Sequence, residues 1–175
     1  MNRILRIFLL ICPLWVCFSC EEPFPELPAE TQTGAQTFGC LVNNELVFAR
    51  GKVYDDDGNY YYSIGSANAV YYTDTDRLEI TATCQFNQQF IFYIDHPQKE
   101  TELKLNQIRY LPPNSTDWIE VEDIGRIYLT RFDTDTNEYQ GVVSGTFSFE
   151  LQGTKSIKVT KGRFDLRTSV VNYQY

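Results

Sequence analysis

From Thr37 to the C-terminus the apolar residues recur with a period of two rather than 3.6. Leu78, Ile80, Ala82, Cys84 and Phe86 alternate with Glu79, Thr81, Thr83 and Gln85, which predicts a strand with one buried and one wet face. Phe147, Phe149 and Leu151 against Thr146, Ser148 and Glu150 repeat the pattern. Gln88–Ile94 (QQFIFYI) is apolar at both parities and predicts a central strand covered on each side. In Ile157–Leu166 the apolar parity passes from odd positions (Ile157, Val159) to even ones (Phe164, Leu166) across Lys161-Gly162, which predicts a β-bulge at Gly162. Further strands fit Phe38–Val42, Glu45–Val53, Tyr60–Ile64, Ala69–Thr73, Leu103–Tyr110 and Ile127–Phe132, separated by turn clusters at Asn43-Asn44, Asp55–Asn59 and Asp133–Asn137. No segment of helical length carries an apolar stripe. The expectation is an all-β domain over residues 37–175, an antiparallel β-sandwich or partly open β-barrel of about nine or ten strands.

A different pattern opens the chain. The first twenty residues, MNRILRIFLLICPLWVCFSC, place Arg3 and Arg6 before an apolar stretch from Ile7 to Phe18, then Ser19-Cys20. That is the outline of a signal peptide over residues 1–19. The apolar stretch is about 12 residues, short of the roughly 20 that a helix needs to cross a bilayer. A small residue followed by cysteine resembles a bacterial lipobox, in which the thiol receives a diacylglyceryl group before cleavage and the new N-terminus carries acyl chains such as palmitate. Cys20 is the lipidation candidate; Cys17 is disfavoured because bulky Val16 would occupy the cleavage position. Residues 20–36 then read as a lipid-anchored tether, since Glu21–Gln36 holds three prolines, a glycine and few periodic apolar residues. Glu21 and Glu22 resemble the acidic surface-export signals of Bacteroidetes lipoproteins, and equally fit a solvated linker. The expected location is the outer membrane, with the periplasmic and cell-surface faces both open.

Removing residues 1–19 takes away Arg3 and Arg6, leaving 13 basic against 23 acidic side chains and a net charge of −10. Such a surface repels phosphate backbones, so nucleic acid is excluded as an expected partner. The domain is long enough to bury a core without disulfide staples. Cys40 and Cys84 remain on strand faces with apolar neighbours, which fits either a disulfide in an oxidising compartment or two buried thiols.

Glu30-Thr-Gln-Thr-Gly34 and Thr37-Phe-Gly-Cys-Leu-Val-Asn43, with Ser144-Gly-Thr-Phe-Ser-Phe149 and Val159-Thr-Lys-Gly-Arg-Phe164 near the other end, resemble an uncharacterised family of Bacteroidetes lipoproteins, a domain of unknown function. The resemblance covers most of the domain. It departs where that family often has Asn-Gly followed by a Trp-ending strand and this chain has Asn43-Asn44 and Phe48. It implies a β-rich fold and carries no catalytic residue, cofactor or metal.

Chemical motifs are sparse. His96 is the only histidine, in Asp95-His96-Pro97 after a strand, without a nucleophile-elbow glycine pattern, so it reads as a solvated loop residue rather than a catalytic base. Asp55-Asp-Asp57-Gly-Asn59 and Asp133-Thr-Asp135-Thr-Asn137 space oxygen ligands as calcium loops do, but neither completes an EF-hand, and the same residues favour turns. Aromatics make up 15% of the chain, enough that some could form exposed platforms for sugars even after alternation buries about half of them. Trp118, in the loop-like Leu111–Val121, is the candidate ligand contact. The sequence therefore favours a non-catalytic envelope module that binds a ligand or partner, or is structural, with glycan or envelope protein as the partner classes and no cofactor. A glycan-binding module, or a carboxylate-based hydrolase using an Asp/Glu pair, are the alternatives.

Overall fold

The alternation is realised as thirteen strands in a computed structural model that describes residues 26–50, 53–54, 60–62, 66–134, 140–152 and 156–172. They are β1 (Thr37–Val42), β2 (Glu45–Arg50), β3 (Val53–Tyr54), β4 (Tyr60–Tyr62), β5 (Ser66–Tyr72), β6 (Arg77–Thr83), β7 (Gln89–Asp95), β8 (Glu102–Lys104), β9 (Gln107–Leu111), β10 (Ile119–Glu122), β11 (Arg126–Asp133), β12 (Gln140–Leu151) and β13 (Ile157–Val171). Eleven form one sheet along the path β10-β9-β7-β6-β5-β13-β12-β11-β8, with β1 on the edge of β13 and β2 outside β1; β3 and β4 pair separately. The signal peptide, Cys20, the first acidic loop Asp55–Asn59, and Tyr173 and Tyr175 lie outside the described residues.

The sheet curls into a half-barrel because its two ends belong to one bent hairpin. β9 pairs β10 while β8 pairs β11. The bend lies at Leu105-Asn106 and Asp123–Gly125. Asn106 fixes it, donating its N–H to the Tyr93 carbonyl (3.1 Å) and accepting at Oδ1 from the Asp95 N–H (2.8 Å) and at its own carbonyl from the Asp123 N–H (2.9 Å). The single strand expected over Leu103–Tyr110 is thus two, and β10 adds a strand that the sequence pattern did not announce. The other difference is β13 against β5, a parallel pair in an otherwise antiparallel sheet among the described residues. Fifteen residues long, β13 lends its first half to β1 and its last four residues to β5.

The predicted bulge is present. Gly39 and Leu41 of β1 face Arg163 and Thr160, and Phe147 and Phe149 of β12 face Gly162 and Val159, so β13 carries one extra residue against both neighbours. Lys161, at φ +52°, takes the left-handed conformation. Gly162 answers to packing instead: a Cβ there would sit 2.4 to 2.6 Å from ring carbons of Phe147.

Inward positions form one aromatic-rich core. Phe38, Phe90, Phe92 and Phe147 are buried with ring centroids 4.9 to 6.2 Å apart along the close pairs. β7 is an interior strand as expected, paired with β6 and β9, but it is fully covered on one side only: Phe90, Phe92 and Ile94 are buried inward, while Ile91 and Tyr93 outside are half-buried. The alternation misleads at Phe86. After Thr83 the chain leaves the strand for a 3-10 turn, Gln85–Asn87, and Phe86 is 71% exposed at φ +57°. Gln85 is the cause: its side chain bonds the edge of β2, accepting from the Phe48 N–H (3.1 Å) and donating to the Leu46 carbonyl (2.9 Å).

The described part of the tether, from Glu26, has neither helix nor strand, yet it is held on the domain. Pro28 is buried over Gly39, where a Cβ would come within 2.5 Å of its ring. Thr31–Ala35 wraps the buried carboxylate of Asp165, Arg131 donates to the Gln32 carbonyl, and Gln36 accepts the Arg167 N–H at 2.8 Å. This strap fastens the chain to the domain upstream of Thr37.

Candidate functional site

On the outer face, side-chain length shapes a trough along β12. Where β12 floors the trough its outward residues are short hydroxyls, Thr146 and Ser148. Across the ladder Tyr128 and Thr146 are partners, as are Thr146 and Arg163, and Arg126 faces Ser148. Long side chains on β11 and β13 therefore stand on either side of a low floor, with Lys161 of the bulge beside Arg163. The trough holds about 370 Å³ of open space, and Glu102 of β8 and Glu30 of the strap complete its lining. A second hollow of about 510 Å³ adjoins it, sharing Glu102 and Arg126.

Three cations and two carboxylates line the trough, a local positive excess in a chain of net charge −8. Arg126 pairs with Glu102 at 2.5 Å, and both are exposed. Arg163 is mostly buried, with its side chain 22% exposed; its Nε has no hydrogen-bond partner and its terminal nitrogen lies 3.5 Å from Glu30. Lys161 is exposed and makes no ion pair among the described residues. Tyr128, 39% exposed, offers an aromatic surface beside the hydroxyls. Such a set offers donors and acceptors to charged and hydroxyl groups at a wet surface.

The residues singled out from sequence lie elsewhere. Trp118 is half-buried, and the Arg109 guanidinium covers its ring at 5.0 Å from the centroid, so a cation already occupies that face. Cys40 and Cys84, read as either a disulfide or buried thiols, are both buried free thiols. Burial, then the neighbouring Cys84, pushes the Cys40 thiol well up, and burial pushes Cys84 up to about 12. Both stay protonated at neutral pH, which makes them poor nucleophiles and metal ligands. Asp133 of the second acidic loop pairs with Arg131 at 2.5 Å, while Asp135–Asn137 lie outside the described residues. Among the described residues no three His, Cys, Asp or Glu side chains gather as a metal site.

His96 is exposed, its side chain 76% open to solvent as its loop position predicted, and it also bonds the β5–β6 turn. Its Nδ1 lies 2.7 Å from Asp76, whose other oxygen accepts the Tyr71 hydroxyl at 2.7 Å, and its N–H donates to the Asp76 carbonyl. The hydrogen bond to His96, then that to Tyr71, holds the Asp76 carboxyl below its ordinary range, and burial followed by Asp76 raises the Tyr71 hydroxyl to about 12. The trio braces the β5–β6 turn.

The trough residues Arg126, Tyr128, Lys161 and Arg163 were not singled out from sequence. The one signal pointing toward them was the parity switch at Lys161-Gly162. Comparison with protein-family models, curated proteins and solved structures returns no match.

Proposed function

We propose that this chain is a non-catalytic binding module of the cell envelope, anchored to the outer membrane through lipid on Cys20, belonging with the uncharacterised Bacteroidetes lipoproteins it resembles, and that its ligand or partner lies in the β12 trough. The trough carries the reading: a solvent-open recess with three cationic side chains, Lys161 outside any ion pair among the described residues, an aromatic surface and two hydroxyls, over a core filled by side chains. Pockets that bind ligands combine an apolar surface with a few placed polar groups. A carboxylate hydrolase would need one carboxyl kept protonated by apolar surroundings. Glu30 and Glu102 instead face arginines and solvent, which favours binding over hydrolysis.

The test is retention of envelope material, saccharide and protein alike, on the immobilised full chain purified in detergent. Tyr128→Ala and Lys161→Glu should each reduce retention, while Lys99→Glu, outside the trough, should not. Retention untouched by the trough variants would refute the assignment.

A further inference from the structure

Resting on that assignment, we infer that the trough takes an acidic saccharide, a sugar chain bearing carboxylates. The floor and walls supply what each part of such a ligand needs. Thr146 and Ser148 each offer a donor and acceptors at the bottom of the trough, matched to sugar hydroxyls. Tyr128 presents a ring beside them, matched to the apolar C–H face of a pyranose. Arg163 supplies the carboxylate subsite. Its side chain keeps 22% of its surface open, and Glu30, 3.5 Å from its terminal nitrogen, is beyond a short charge-assisted bond, so that nitrogen can take a carboxylate. Glu30 itself is 67% exposed, so an incoming carboxylate can replace it. Lys161, exposed at the bulge beside Arg163, adds a second charge.

Charge separates this ligand from its competitors. A neutral sugar leaves Lys161 unanswered and gives Arg163 nothing better than its long 3.5 Å contact with Glu30. A polyanion of nucleic-acid density meets a chain of net charge −8 outside the trough. Only a ligand that combines separated anionic groups with hydroxyls and ring faces uses all of the lining.

The experiment is calorimetric titration of the full chain, purified in detergent, with tetragalacturonate, with maltotetraose as the neutral tetrasaccharide, and with inorganic phosphate. Tetragalacturonate should bind and weaken with added salt, the neutral sugar should not bind, and Tyr128→Ala and Lys161→Met should each weaken binding about tenfold. Arg163→Gln should abolish it, and because Arg163 is partly buried, a matching thermal melt accompanies that variant. Equal binding of maltotetraose would overturn the acidic class. Phosphate displacing tetragalacturonate at equal charge, with Tyr128→Ala unchanged, would overturn the saccharide class. Should tetragalacturonate fail while retention of envelope material still depends on Tyr128 and Lys161, the ligand class is wrong and the trough stands; should neither depend on them, both fall.

Discussion

Replacing Asp165 by asparagine keeps the shape of a side chain that is 1% exposed and removes the charge that organises the strap around it. The carboxylate accepts from Ser144 Oγ (2.6 Å), Thr31 Oγ1 (2.6 Å), Gly34 N (2.8 Å), Thr33 N (2.9 Å) and Ala35 N (3.2 Å), with Thr33 Oγ1 at 3.3 Å. Oδ1 takes Ser144 and Gly34, and Oδ2 takes the others. An asparagine oriented to keep the first pair turns its NH₂ toward Thr31, Thr33 and Ala35. The Thr31 hydroxyl can rotate and accept, but the two backbone N–H groups cannot. A donor left unsatisfied in a buried site costs about 1–3 kcal/mol, and two backbone donors lose their acceptor here. Since part of the strap is solvent-exposed, about 3 kcal/mol is the expected loss. For a domain of this size roughly 2–4 °C accompanies each kcal/mol, so the midpoint should fall by about 6–12 °C.

The pH dependence gives a second reading of the same group. Burial alone would raise the Asp165 carboxyl, but the hydrogen bonds from Ser144, Thr31, Thr33 and Gly34 outweigh it and hold the carboxyl well below the ordinary 3.8. A carboxyl depressed on folding stabilises fully above its unfolded pKa, and that stabilisation is lost as pH falls below about 4 through the folded value. Urea melts of wild type should therefore weaken below about pH 4, and Asp165→Asn should flatten that limb. Hydrogen exchange at the Gly34 amide should accelerate in the variant. A midpoint within about 2 °C of wild type, with Gly34 still protected, would refute the reasoning.

Cys20→Ala should abolish labelling with a radioactive fatty acid and leave unprocessed precursor; mature acylated protein from the mutant would sink the lipid assignment. Gly162→Ala puts a methyl group 2.4 to 2.6 Å from the Phe147 ring, and the overpacking should cost about 1–3 kcal/mol in a denaturant melt. Trp118→Ala should cost about 1–2 kcal/mol, between a surface change and the 3–5 of a buried tryptophan, because one face rests on Arg109; a thermal midpoint unchanged within error would show that the stacking contributes nothing.

Period-two alternation reports which face of a strand is inward, and for that reason the core was legible: Leu78, Ile80, Ala82, Phe147, Phe149 and Leu151 are all buried. A break in the period is legible too, as at Lys161. What alternation does not encode is the neighbour. Nothing local says that Ala69–Tyr72 lies parallel beside Thr168–Val171, or that Gln85 bonds a strand nearly forty residues earlier and so turns Phe86 outward. The trough is of this kind. Thr146 and Ser148 are ordinary outward residues until the register puts Tyr128 and Arg126 on one side and Arg163 on the other.

The contacts of the tether were illegible for a related reason. Thr31–Gly34 is polar and aperiodic, and its partner, Asp165, lies 131 to 134 residues away. Pinning it changes what the proposed anchor does. Ten residues separate Cys20 from Glu30, and an extended chain spans at most roughly 3.3–3.6 Å per residue, so lipid on Cys20 would keep Glu30 within about 35 Å of the bilayer. Glu30 lines the trough while Thr31, its next neighbour, is fixed by Asp165. The same strap that would tether the domain therefore sets the Glu30 carboxylate against Arg163, and loosening it at Asp165 should alter binding in the proposed trough as well as stability.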